Sequence, residues 1–293
     1  MSATTCLAID IGGTKLAVGL VSSEGTLLGR RQAPTSHDAD GETLFETVLE
    51  LSRQVRNEHG VEPGLVGVGC GGPMDPTAGT VSPLNIPAWQ DFPLVERLHE
   101  ALGLPVALDN DAKALALGEG WLGAATGAEN FLAMVVSTGV GGGIVLDGRL
   151  LDGRLGNAGH IGHVVVVPGG RRCVCGVLGC LEAEASGTAI EAITGRPAKD
   201  ATAEVIERTG ELVGRAVATA VTLLDLDLCV IAGSVALGFA APFFDAAQRS
   251  LDASSGLRFT KGARIVPAGL GDEGPLIGAA AVGFAPRRAL ERA

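Results

Sequence analysis

No apolar run in this chain of 293 residues approaches the roughly 18–20 residues that span a bilayer. The N-terminus enters a short apolar stretch without the basic flank and apolar core of an export signal. A protein with no membrane span, kept in the cytoplasm, is the expectation. Basic residues are few: 22 Lys and Arg against 33 Asp and Glu leave a net charge of −11, and the cations never gather into more than a pair or short group. Nucleic-acid phosphates need clustered cations, so no nucleic-acid partner is expected. Cysteine is sparse as well, with three of the six lying between positions 173 and 180. In a reducing compartment such a cluster points to metal rather than to disulfides.

Glycine, by contrast, is abundant. Its 44 residues sit beside expected strands, which reads as turns and close backbone approaches in an α/β protein of one large or two medium domains. Leu7 to Ile11 is a short apolar strand that runs into Asp10-Ile11-Gly12-Gly13-Thr14-Lys15, and further strands follow from Leu16 to Val21 and from Thr26 to Gly29. The two glycines let backbone N–H groups approach phosphate oxygens, and the strand-borne Asp10 can hold Mg²⁺ or its water shell. An ordinary hairpin turn would read the same way. The spacing is neither that of a P-loop nor that of a dinucleotide fingerprint.

Apolar residues at Leu44, Val48, Leu51 and Val55, ended by Gly60, mark a covering helix. A buried strand, Leu65 to Gly69, then opens into Cys70-Gly71-Gly72-Pro73-Met74-Asp75, the kind of strand end where open α/β sheets take ligands. The proline-interrupted loop Ser82 to Trp89 offers Asn85 and Trp89 either to a ligand or to packing. Pro105 to Leu108 leads into Asp109-Asn110-Asp111 and a helix from Ala112 to Glu119; helix capping explains one of these three polar residues. From Leu132 onward the opening pattern recurs: a strand, a glycine-rich turn Ser137 to Gly143, a strand Ile144 to Leu146, and a further turn. The chain therefore reads as internally duplicated, two lobes closing on a ligand. A long helix from Ala201 to Asp225, a strand Leu228 to Ala232 ending in Gly233-Ser234, a strand Ala263 to Ala268 and a helix from Pro275 to about Glu291 complete it.

The stretch from Gly156 to Glu182 carries His163, Cys173, Cys175 and Cys180, one imidazole and three thiolates, the closed tetrahedral set that structural zinc prefers. A metal there would also fix the neighbouring His160 and Glu182 in space.

Taken together, Asp10-x-Gly12-Gly13-Thr14-Lys15, Asn110-Asp111-Ala112, Thr138-Gly139-Val140-Gly141-Gly142-Gly143, Ala158-Gly159-x-Ile161-Gly162-His163 and the Cys-x-Cys-Gly-x-x-Gly-Cys-Leu-Glu run resemble the ROK family, bacterial sugar kinases and related repressors. The resemblance implies a two-lobed, actin-like (ribonuclease-H-like) sugar-kinase fold with duplicated βββαβαβα lobes and a zinc-bound loop. On it the N-terminal lobe would be 1–110 completed by 275–293, and the C-terminal lobe 111–274 with the zinc loop 156–182. Asp111 would be the general base toward a sugar 6-hydroxyl, with Gly72, Asn85, Asn110, His160, His163 and Glu182 around the sugar. Gly12, Gly13, Thr14, Lys15, Thr138 and Gly139 would hold the ATP phosphates, Asp10 would face Mg²⁺, and Gly233 and Ser234 would lie by the adenosine. The implied activity is an ATP-dependent hexose kinase acting on glucose or a related hexose, and a homodimer or higher homo-oligomer is the expected assembly.

Two residues depart from the family pattern. Lys113 stands where a small or amide side chain is expected, either as a surface change or reaching toward the phosphates. His160 replaces a glutamate that accepts from sugar hydroxyls, which opens the alternative of an aminohexose such as kanosamine or an N-acylhexosamine. A repressor would need a helix-turn-helix ahead of the first turn, which begins here at residue 10. A sugar-binding protein without kinase activity is disfavoured by the presence of Asp111, Asp10 and both glycine turns.

Overall fold

The computed structural model describes residues 4–36 and 38–291, so positions 1–3, 37 and 292–293 of the expected N-terminal lobe lie outside the described residues. In chain order the elements are β1 (Thr5–Ile11), β2 (Lys15–Ser22), β3 (Leu27–Pro34), α1 (Gly41–His59), β4 (Leu65–Cys70), the short strands β5 (Met74–Asp75) and β6 (Thr80–Val81), α2 (Leu94–Leu102), β7 (Val106–Asn110) and α3 (Asp111–Leu122). There follow β8 (Phe131–Val136), β9 (Val140–Leu146), β10 (Arg149–Leu150), a 3₁₀ turn at Ile161–His163, α4 (Leu181–Ala185), α5 (Gly187–Thr194), α6 (Ala203–Leu224), β11 (Leu228–Ala232), α7 (Ser234–Ser254), β12 (Arg264–Pro267) and α8 (Gly274–Glu291).

Two five-stranded sheets form, ordered β3-β2-β1-β4-β7 and β10-β9-β8-β11-β12. In both, the first three strands of the chain pair antiparallel and the remaining two add in parallel, so the duplication read from the repeated pattern is present strand for strand. The chain divides into two compact units: 1–122 with 152–157 and 270–293, and 123–151 with 158–269. The expected boundary at 110/111 falls inside the first unit. It misses because α3 packs against α8 in that unit, so the helix that Asp111 begins stays with the sheet that precedes it.

Strand alternation explains the first unit's layers. Along β1, Leu7, Ile9 and Ile11 face a core shared with Leu44, Phe45, Val48, Leu51 and Val55 of α1, while Cys6 and Ala8 face α8. α1 is fixed at both ends, by Asp40 accepting from Thr43 N at 2.7 Å and by Gly60 in the left-handed region with φ 60. On the α8 face the side chains are small. A methyl group at Gly67 of β4 would overlap the Ala279 carbonyl oxygen of α8, and one at Gly118 of α3 would come within 3.0 Å of the Gly278 backbone. The glycines are there because two helices and a sheet meet backbone to backbone. This close approach brings the start of α3 down onto the sheet, with the Asp111 Cα 3.7 Å from the position a Gly69 Cβ would take.

In the second unit, Leu132, Met134 and Val136 of β8 and Cys229 and Ile231 of β11 pack against apolar residues of α6 and α7. The expected turn at 137–143 is shorter than its glycines suggest: only Ser137–Gly139 turns, and Val140–Gly143 is already β9, paired with β8. Gly141, Gly142 and Gly143 read as turn residues by composition. The tertiary reason for Gly142 is different, since the Gly159–Gly162 segment lies directly on the β9 backbone, where a Gly142 Cβ would sit 3.0 Å from Gly159 O. Among the described residues no helix is long and apolar enough to cross a membrane.

Because the α8 face of β4 has no room for a side chain, Gly67→Ala is expected to destabilise the protein by about 1–3 kcal/mol, the usual cost of overpacking. A urea titration checks this: the midpoint should fall with the slope unchanged.

Candidate functional site

In the first unit β1, β4 and β7 run parallel, so their carboxyl ends lie side by side: Asp10 is opposite Gly69, and Cys70 is opposite Asn110. Asp10 is the last inward residue of β1 on the α3 side. Burial, and then the Asp111 carboxylate, raise its pKa to about 7, against a smaller lowering by Lys15. The Gly12–Thr14 turn closes with Gly12 N donating to Lys15 O at 3.0 Å, and Thr35 braces it from beyond β3, its Oγ1 donating to Gly12 O at 2.7 Å. Any side chain at Gly13 would overlap the Cβ of Asn85. Asn85 thus lies against the glycine turn, whereas Trp89 does not reach a ligand. Trp89 is buried, stacks on Phe92 with ring centroids 4.6 Å apart, and donates from Nε1 to Gly41 O at 2.9 Å.

At the β7–α3 corner each polar residue has a separate task. Asp109 Oδ1 accepts from Asn110 N at 2.8 Å, and Asn110 Oδ1 accepts from Ala112 N at 3.0 Å as a helix cap. Asp111 occupies the first turn of α3, its Oδ1 2.8 Å from Ala112 N. Gly72 follows β4, and a Cβ there would touch Asn110 Nδ2 at 3.4 Å. The buried Cys70 thiol lies near both Asp10 and Asp111; burial first, then those two carboxylates, push it well above its ordinary range, so it stays a neutral thiol.

Lys113 meets neither expectation placed on it. It is buried in an ion pair with Asp109 at 2.9 Å and another with Asp152 at 2.7 Å, so it is neither a surface residue nor a cation extended toward phosphates. Asp109 lies near the end of β7 and Lys113 in the first turn of α3, so the strand-to-helix corner brings the two together.

In the second unit the carbonyls of the Ser137–Gly139 turn point into the protein. Ser137 O accepts from Gly187 N at 2.7 Å, Thr138 O from Thr188 Oγ1 at 3.0 Å, and Gly139 O from Ser137 N at 2.9 Å. Parallel pairing of β8 with β11 puts Gly233-Ser234 beside this turn, with Ser137 Oγ and Ser234 Oγ 2.9 Å apart. Gly233 has φ 103, and a side chain there would overlap Val136 O. Glu182 adjoins the same turn: its Oε2 accepts from Val140 N at 2.9 Å.

His163, Cys173, Cys175 and Cys180 bring their ligand atoms within 4.8 Å of one another. His163 Nδ1 lies 3.6 Å from Cys173 Sγ, and Cys175 Sγ lies 3.7 Å from Cys180 Sγ. A tetrahedral ion with Zn–N of about 2.0–2.1 Å and Zn–S of about 2.3 Å has edges of about 3.6 and 3.8 Å, so the donor set fits zinc. The sulfurs are far beyond the roughly 2.05 Å of a disulfide. His160 is exposed one turn ahead of His163, ring centroids 6.0 Å apart.

Sequence reasoning missed Glu184. Buried on α4, it accepts from Arg171 N at 2.7 Å and pairs with Arg208 of α6 at 2.6 Å, so it fastens the metal loop to the helical core. Its only signal was a second carboxylate two residues beyond Glu182, which periodicity does not separate from a surface charge.

The ROK family's sequence pattern matches residues 6–284. A glucokinase of Halalkalibacterium halodurans is 40% identical over 199 residues, 66% of this chain and 60% of its own length, so the match spans less than two thirds of that relative. An N-acetylmannosamine kinase of Yersinia pestis is 36% identical over 265 residues, 84% of this chain and 88% of its own. The crystal structure of a ROK family glucokinase from Streptomyces griseus, in complex with glucose and AMPPNP, superposes with a TM-score of 0.83 at 27% identity, covering 96% of this chain and 99% of that one. With both sheets, both glycine turns and the His-Cys₃ loop in place across that span, the chain belongs to the ROK family.

Proposed function

We propose that this protein is an ATP-dependent hexose kinase that phosphorylates the 6-hydroxyl of glucose or a related hexose. The observation that carries this reading is the pairing of Asp111, at the first turn of α3, with Asp10, at the end of β1, on one carboxyl edge that also bears the Gly12–Thr14 turn. Phosphoryl transfer needs in-line positioning, neutralisation of phosphate charge, and one carboxylate to orient and deprotonate the acceptor hydroxyl. Asp111 takes the last role. Asn110, its Oδ1 committed to the cap and one amide hydrogen directed at Cys70 O at 3.5 Å, has its other amide hydrogen for a sugar hydroxyl, with Gly72 and Asn85 as further sugar contacts. Mg²⁺ bound with ATP supplies charge neutralisation at Asp10. A pKa near 7 keeps part of the Asp10 population protonated when no cation is present, which limits repulsion of Asp111.

The inward carbonyls of Ser137–Gly139 leave the amide side of that turn for phosphate oxygens, as Gly12, Gly13, Thr14 and Lys15 do in the first unit. Gly233 and Ser234 attend the adenosine. Zinc, held by His163, Cys173, Cys175 and Cys180, is structural, since four protein ligands leave no position for substrate. His163 binds it through Nδ1 and so offers Nε2–H to a sugar hydroxyl, while His160 and Glu182 contact the others.

A second reading, an aminohexose kinase, is favoured by one specific residue. His160 offers one donor and one acceptor when neutral, where a glutamate would accept from two hydroxyls. An amino or acylamino group on the sugar would suit it, and one relative carries the name of an N-acetylmannosamine kinase.

Three outcomes are expected. In a coupled assay of ADP release, Asp111→Ala should lower kcat by at least ~10²-fold with little change in ATP binding; near-normal turnover would remove Asp111 from the base role. Elemental analysis should find about one zinc per chain, and Cys175→Ser or Cys180→Ser should lose both metal and sugar affinity. Full activity in a metal-free, chelated protein would make the cluster a group of thiols only. Finally, a panel of hexoses and aminohexoses should rank differently in His160→Glu, with glucose gaining; an unchanged ranking would place His160 away from the sugar.

A further inference from the structure

Lys113 is buried, with its side chain 2% exposed. An ammonium has three N–H donors, and here three acceptors meet it: Asp109 Oδ1 at 2.9 Å, Asp152 Oδ1 at 2.7 Å and Gly156 O at 3.2 Å. The three donors are thus matched by protein acceptors.

The partners are informative. Asp109 Oδ1 is the same oxygen that accepts from Asn110 N, so the ammonium fastens the peptide joining Asp109 to Asn110 immediately before Asp111. Asp152 and Gly156 belong to the stretch 152–157, which enters the first unit as an isolated strap. Its other side is closed as well: a side chain at Gly156, which has φ 77, would meet the Pro76 ring at 2.6 Å. Pro76 follows the Gly72–Asp75 segment that leaves β4, and the strap continues in sequence into Ala158, Gly159 and His160. One buried cation therefore ties the corner bearing Asn110 and Asp111 to the strap.

Burial by itself pulls the Lys113 ammonium down, but Asp152 and Asp109 more than offset this, and its pKa is held above the ordinary lysine value. It stays charged, and a charge so placed is retained only where its hydrogen bonds are complete.

We propose that Lys113 is a positioning residue for the sugar. It sets the geometry of the Asn110–Asp111 corner and of the 152–157 strap together, and so governs affinity for the hexose more than for ATP. The inference rests on the kinase reading and deepens it.

The test compares Lys113→Met with Lys113→Met/Asp109→Asn, because the single change leaves a buried carboxylate without its cation while the double change removes both charges. Amide hydrogen exchange reads the strap directly, independent of turnover, and steady-state kinetics with glucose and Mg-ATP separate the two KM values. In the double variant, which should fold, exchange across 152–157 should quicken at least ~10-fold. The glucose KM should rise by a similar factor, with the ATP KM moving less than ~3-fold. Asp152→Asn, which removes one exposed partner, should show a smaller change in the same direction. A folded double variant with a strap as protected as in the parent, or with a loosened strap and an unchanged glucose KM, would overturn the inference. Failure of the parent protein to phosphorylate any hexose would instead overturn the kinase reading on which it rests.

Discussion

The contact between α8 and β4 leaves no room for a methyl group, and the placement of the acidic residues follows from it. Gly67 lies under the Ala279 carbonyl, and Gly118 of α3 lies against Gly278 of α8. With small residues on one face of β1 and β4 and large ones on the other, the two helices settle close to the sheet on that face. The first turn of α3 then stands next to the end of β1. Burial, and then the nearby Asp111 carboxylate, disfavour ionisation of Asp10. An ordinary core of leucines on that face would separate the helices from the sheet by the width of a side chain.

The second unit solves a related problem by different means. Its glycine turn is held from behind by Gly187, Thr188 and Glu182, and its metal loop is held by Glu184 and Arg208. The five-residue α4 carries both carboxylates and begins just after Cys180. One short helix thereby links the His-Cys₃ cluster to the turn.

Much of this was legible in the chain. α1 was readable from its apolar stripe and its Gly60 stop, since an amphipathic helix with a left-handed cap depends on local residues alone. The duplication was readable because the strand-turn-strand pattern itself repeats, and the metal loop because four soft ligands crowd into one stretch. Glycine was the least legible residue type. Composition cannot tell a glycine that turns the chain, as at 12 and 13, from one that lets another backbone pass, as at 67 and 142.

By itself, then, the sequence determined the two repeated strand patterns, the positions of the two glycine turns, the His-Cys₃ group and the family. These follow from local periodicity, turn chemistry and donor type, which act over a few residues. Only the tertiary structure decided what long-range packing controls: that Trp89 belongs to the core, that 140–143 is strand, that α3 stays with the first unit, and that Glu184 secures the metal loop. Lys113 shows the difference most plainly. Its partner Asp109 is four residues back, across the corner from β7 to α3, but Asp152 and Gly156 lie some forty residues on. A buried ammonium is tolerable only once folding has brought all of its acceptors to it.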